Sequence, residues 1–112
     1  MAAGTYNLQI DQGSDYASTL TITESGVAKD LTGYSARAQM RPTKSSSTLS
    51  ATFTCTVTNA SGGVLKMELS NSITKDLAAG VYYYDLEIYT AADASVTRLL
   101  EGQVTVDPEV TR

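Results

Sequence analysis

The chain has 112 residues, a formal net charge of -4, 42% hydrophobic and 18% charged residues, and no histidine. That length implies one domain, residues 1–112, with a single core, folding removing roughly two-thirds of the unfolded surface from water. The eight Lys and Arg are scattered from Lys29 to Arg112, which argues against the concentrated basic face of a nucleic-acid or anionic-membrane binder. Without histidine a Ser-His-Asp or Cys-His site is ruled out, as is the commonest zinc ligand.

Period-two alternation dominates the chain, and in a strand it places every second side chain on one face. Residues 5–10 form a first expected strand, with Tyr6, Leu8 and Ile10 on one side, followed by a turn on Gly13. Residues 16–23 form a second, with Tyr16, Leu20 and Ile22 inward and Thr19, Thr21 and Thr23 outward. A longer connection leads to a third at 34–41, where Tyr34, Ala36, Ala38 and Met40 alternate with Ser35, Arg37, Gln39 and Arg41. It ends at Pro42, which has no N–H for a ladder, and residues 42–48 have the serine-rich character of a loop.

Residues 49–57 set Leu49, Ala51, Phe53, Cys55 and Val57 against Ser and Thr, and the "TNASGG" turn leads into 64–69, with Leu65, Met67 and Leu69 inward. Asn59-Ala60-Ser61 fits a glycosylation acceptor, but the turn reading is the stronger. A short helical turn is expected near 72–78: Ser70 or Ser72 can cap it, Ile73 and Leu77 share a face, and Gly80 can end it. The sixth strand, "GVYYYDLEIYT", directs Tyr82 and Tyr84 inward with Leu86 and Ile88, leaving Tyr83, Asp85, Glu87 and Tyr89 on the other face. The seventh, at 95–106, holds Val104 and Val106 inward, and Gly102 marks a bulge or a close backbone approach. The expected fold class is all-β: a seven-stranded antiparallel Ig-like β-sandwich, with a small barrel as the alternative.

Tyr82 after "LAAG" is a tyrosine-corner candidate. Asp85 and Glu87 lie two apart on one face, a spacing compatible with a two-carboxylate glycosidase. A flat sandwich face is expected to supply neither the pocket nor the raised pKa that chemistry needs. Cross-strand pairing with Arg37 or Arg41 is the expected role instead. Cys55, the single cysteine, reads as a small buried hydrophobe, and Asp11 and Asp15 match no calcium-loop pattern. No cofactor, metal site or enzymatic activity is expected. The start "MAAGTYNLQI" lacks a signal-peptide pattern and no stretch is long enough for a spanning helix, so folding in a cytosol is expected.

Three stretches, "DLTGYSARAQMR" at 30–41, "LAAGVYYYDLEI" at 77–88 and "TRLLEGQVTVDPEVTR" at 97–112, resemble small tailed-bacteriophage and prophage proteins. The opening "GTYNLQIDQGSDY" fits the same group, and the patterns are similar to the N-terminal β-sandwich of phage baseplate upper proteins. The resemblance implies a virion component acting by contact with other virion proteins of tail, baseplate, neck or head, in several copies, with no catalytic residues carried over. It further implies Tyr34, Arg37, Tyr82, Tyr84, Asp85 and Leu86 as framework positions. The sequence departs from an anchor-plus-module protein in ending at Arg112, which leaves baseplate, collar, neck and head surface open as positions. Strand edges, the loop 42–48 and the tails 1–4 and 107–112 are expected to carry contacts. The partner-binding candidates are Tyr83, Asp85, Glu87, Tyr89 and Arg37. A carbohydrate-binding module stacking sugars on Tyr83 and Tyr89, or a capsid decoration protein, are the alternatives.

Overall fold

The computed structural model describes residues 4–110. Its strands are β1 (Gly4–Thr5), β2 (Leu8–Asp11), β3 (Tyr16–Thr21), β4 (Thr23–Glu24), β5 (Val27–Ala28), β6 (Ser35–Arg41), β7 (Ala51–Asn59), β8 (Val64–Leu69), β9 (Gly80–Tyr89) and β10 (Val96–Asp107). Helix α1 (Asn71–Thr74) precedes β9, and a 3-10 turn at Ala91–Asp93 follows it. The fold is all-β, as the alternation requires.

Eight strands form one sheet: seven follow the path β1-β10-β9-β6-β7-β8-β3 and β2 also pairs with β10, while β4 and β5 form a separate hairpin. The path curls because β7 serves both halves: residues 51–53 pair with β6 and residues 54–59 with β8. The curl closes over a core of Leu8, Ile10, Leu31, Met40, Phe53, Leu65, Met67, Leu86, Ile88, Val104 and Val106. Tyr16, Phe53 and Tyr84 link the halves through it edge to face, with ring centroids 6.1 and 6.2 Å apart, the geometry aromatic quadrupoles favour.

Several boundaries depart from the sequence pattern. The first strand is broken at Tyr6 and Asn7, and both pieces run parallel to β10, where antiparallel pairing was expected. Gly102 explains the break. A Cβ there would stand 2.4 Å from the Tyr6 carbonyl oxygen, so only glycine lets the chain pass so close. The Tyr6 carbonyl also accepts from the Tyr84 hydroxyl at 2.6 Å, and the Gln103 N–H donates to the Asn7 side chain at 3.0 Å. Tyr6 and Leu49, both expected inward, are exposed.

Around α1 the pattern misplaced the anchor. Of the expected pair, Leu77 is buried but Ile73 is exposed, and the buried residue within the helix is Thr74, whose hydroxyl donates to the Ser14 carbonyl at 2.8 Å. Ser70 stands at the N-cap without a side-chain cap, the Asn71 N–H donating instead to Asp15 at 2.8 Å. The connection from 24 to 33 hides a hairpin and the fully buried Leu31. The Asn59 side chain accepts from the Gly62 N–H at 3.1 Å, closing the turn into β8. The expected contact tails lie partly outside the described residues, at 1–3 and 111–112.

Candidate functional site

The outward face of β6, β9 and β10 carries the five candidates. Register alone builds it: Arg37 stands opposite Glu87, Gln39 opposite Asp85, Arg41 opposite Tyr83 and Ser35 opposite Tyr89 across β6 and β9. On the other flank Arg98 stands opposite Glu87, Glu101 opposite Asp85 and Gln103 opposite Tyr83. Directly opposed side chains in a sheet lie close enough to interact.

Arg98 reaches this face only through an irregularity. The β9–β10 register shifts between Arg98 and Leu100, inserting Leu99, which is buried. Strict alternation from Val104 and Val106 would have turned Arg98 toward the core. A bulge flips the side-chain phase on its far side, so Arg98 comes to lie beside Glu101. The glycine at 102 signalled irregularity, but no sequence feature located the extra residue, and Arg98, Glu101 and Lys44 were not among the candidates.

Arg37 Nε donates to Glu87 at 2.8 Å and its guanidinium lies 4.4 Å from the centroid of the Tyr89 ring. Asp85 pairs with Arg98 at 3.4 Å, where Arg37 or Arg41 had been expected. Arg41 instead donates to the Ser47 carbonyl and to Gln39, both at 3.0 Å, and so ties the loop after β6 to the face. From that loop Lys44 reaches across β9 to Glu101 at 3.2 Å.

The loop therefore walls a basin of about 490 Å³, lined by residues that include Arg37, Arg41, Lys44, Tyr83, Asp85 and Arg98. The face is not flat, as the sequence had implied. Burial, followed by the nearby Glu87, raises the Asp85 carboxyl above its ordinary value, with Arg98 opposing. Two carboxylates directly opposed, Asp85 and Glu101, repel, and Arg98 and Lys44 offset that repulsion.

Elsewhere the chemistry is structural. The Tyr82 hydroxyl donates to the Ala78 carbonyl at 2.6 Å, the return contact of a tyrosine corner. Cys55 is half-buried and burial pushes its thiol up to about 11, the reverse of nucleophile activation. Among the described residues no group of three or more potential ligands converges on a metal site.

No protein-family model matches the sequence, and no curated protein matches it. The fold has solved counterparts. The chain is similar to the N-terminal domain of phage TP901-1 ORF48, with a TM-score of 0.63 at 11% identity, covering 96% of this chain and 99% of that one. It also overlays on Listeria monocytogenes InlP, at TM-score 0.49 and 14% identity, spanning 28% of that chain. A family 123 glycoside hydrolase from Clostridium perfringens overlays at TM-score 0.44 and 13% identity, over 24% of its length. At these identities the first likeness is one of fold, that of a phage protein domain, and the other two carry no argument.

Proposed function

We propose that the chain is a structural component of a tailed-phage virion, a tail- or baseplate-associated adaptor or anchoring subunit that works by protein contact. The observation that carries this reading is the end-to-end correspondence with a phage ORF48 N-terminal domain, 96% of one chain on 99% of the other. The resemblance of residues 30–41, 77–88 and 97–112 to tailed-phage proteins supports it independently. In this reading the subunit resides in the virion in several copies, touches other virion proteins, and catalyses nothing. The pairing of the two β9 carboxylates, Glu87 with Arg37 and Asp85 with Arg98, favours a recognition surface over a hydrolytic pair. Mass spectrometry of purified virions tests it: peptides of this chain at stoichiometric abundance are expected, and their absence from particles sinks the reading.

A carbohydrate-binding module fits the face less well, because Arg37 lies on the Tyr89 ring a sugar would need for stacking. Calorimetric titration with host polysaccharide separates the two. No saturable heat is expected, whereas binding lost in Tyr83→Ala and Tyr89→Ala would favour the module. Capsid decoration differs from a tail position only in neighbours, which crosslinking within particles identifies.

A further inference from the structure

The curled sheet ends in two edges of different character. On β10 lie β1 and β2, short pieces interrupted at Tyr6 and Asn7 and closed by Asp11 opposite Asp107, with Gln9 donating to Asp107. Shortness, interruption and charge are the usual means of protecting an edge from further pairing. The other edge, β3, has none of them. Its residues Tyr16–Thr21 include no charge, proline or glycine, and its pairing with β8 is unbroken from Tyr16 opposite Leu69 to Thr21 opposite Val64.

The Ile22 N–H donates to the Gly63 carbonyl at 2.7 Å on the β8 side. Backbone groups alternate along a strand, so Ala17, Thr19 and Thr21 direct theirs to the open side. No turn or loop hydrogen bond among the described residues reaches them. On the core side Tyr16, Leu20 and Ile22 pack against the core yet stay only half-buried, leaving apolar surface along the same edge.

We infer that β3 is a self-pairing edge, which joins a second copy of this chain antiparallel about a twofold axis centred on Thr19. Opposed residues in a sheet must share a face, and this centre satisfies that throughout. Thr19 meets Thr19 and Ala17 meets Thr21 outside, while Ser18 meets Leu20 and Tyr16 meets Ile22 on the core side. Threonine pairs and aromatic-to-β-branched pairs are among the favourable cross-strand combinations. The flanking charges also avoid their own sign, since Asp15 falls opposite Thr23 and Glu24 opposite Ser14. Self-complementarity of this kind closes at two subunits, and it is what commits the edge to a second copy over an unrelated strand.

Sedimentation equilibrium of the full chain over a concentration series tests the pairing, with a wild-type dimer expected. Thr19→Lys should raise its dissociation constant by about tenfold or more. Thr56→Lys, on the same outward face but on the interior strand β7, should leave it unchanged. A second arm does not depend on a lysine being tolerated. In a Cys55→Ala background, Thr19→Cys brings two cysteines to a hydrogen-bonded pair with Cα atoms about 5.5 Å apart, inside the bridging range of about 4.4–6.8 Å. Oxidation should link that variant into a dimer and leave Ala17→Cys unlinked. A wild type that stays monomeric across the series, including one that accepts a foreign strand at this edge, overturns the proposal. So does equal crosslinking of the two cysteine variants. None of these readouts depends on the particle mass spectrometry that tests the virion reading.

Discussion

The two halves of the curled sheet share one core and present opposite chemistry to solvent. Outside β6, β9 and β10 stands a lattice of four cations and three carboxylates, joined by pairs such as Arg37–Glu87 at 2.8 Å and Lys44–Glu101 at 3.2 Å. Outside β7, β8 and β3 stand Thr52, Thr54, Thr56 and Thr58, then Lys66 paired with Glu68 at 3.4 Å, then Ala17, Thr19 and Thr21. Beneath both, the inward residues are mostly apolar, Ser18 on β3 and Thr97 on β10 being half-buried exceptions. Period-two alternation settles the fold through the inward set and leaves the outward set free to specialise. One half specialises in oriented charge and the other in small hydroxyls beside an open edge.

The strongest perturbations should not distinguish the halves at all. Leu86 lies under the charged face and Leu65 under the threonine face, both fully buried. Either change to alanine should cost about 2–5 kcal/mol through lost burial and a residual cavity, with similar urea midpoints for the two variants. A markedly unequal pair would break the picture of one shared core. Next in size is Gly102→Ala, whose Cβ must displace the Tyr6 backbone. A loss of about 1–3 kcal/mol is expected from overpacking. Amide exchange should accelerate first at Tyr6, whose N–H bonds the Glu101 carbonyl at 3.0 Å, and at Gln103, with β3 and β8 protected as before. Tyr82→Phe removes the bond to the Ala78 carbonyl, and a loss of about 1 kcal/mol in chemical denaturation is expected.

Strands were legible in the sequence wherever alternation ran without interruption. β8 matches its expected bounds, and β9 divides its tyrosines as expected: Tyr84 is buried, while Tyr83 and Tyr89 stay on the outer face. Legibility failed where a single residue changed phase. The bulge at Leu99 delivers Arg98 to the face, and the break at Tyr6 and Asn7 turns one expected strand into two parallel pieces, because parity arguments carry no information about insertions. Leu31 and Thr74 escaped notice for another reason. Each is buried by tertiary neighbours and belongs to no local period. The pairing of Arg37 with Glu87 was foreseen from strand phase, whereas the bridge to Glu101 comes from Lys44 in a loop, where no strand phase applies.

The smallest effects are those that separate the halves. Arg37→Ala removes a partly exposed ion pair and a cation–π contact, so about 0–1 kcal/mol is expected. That difference should shrink with added salt, while Thr56→Val should show no salt dependence.

Asp85 gives the subtlest discrimination, because its carboxyl responds to burial more than to its partner. Gln39 and Arg41 from β6, Glu87 on its own strand, and Arg98 and Glu101 from β10 face it, and Lys44 neutralises Glu101 from the loop. Burial first, then Glu87, raises its pKa, with Arg98 and Arg41 pulling the other way. The folded state therefore holds the Asp85 proton more tightly than the unfolded chain does. Its contribution favours folding below the ordinary carboxylate range and is lost as pH rises through the raised value. Asp30 behaves oppositely, its pKa lowered by the Thr32 hydroxyl and N–H, so its contribution is present above the unfolded value and lost as pH falls. Asp85→Asn should consequently be more stable than wild type near pH 7 and lose that advantage toward about pH 3, as read from urea midpoints across the range. If Asp85→Asn is instead the weaker protein near neutrality, the Arg98 pair outweighs burial, and the charged half stabilises the fold through its ion pairs as well as displaying them.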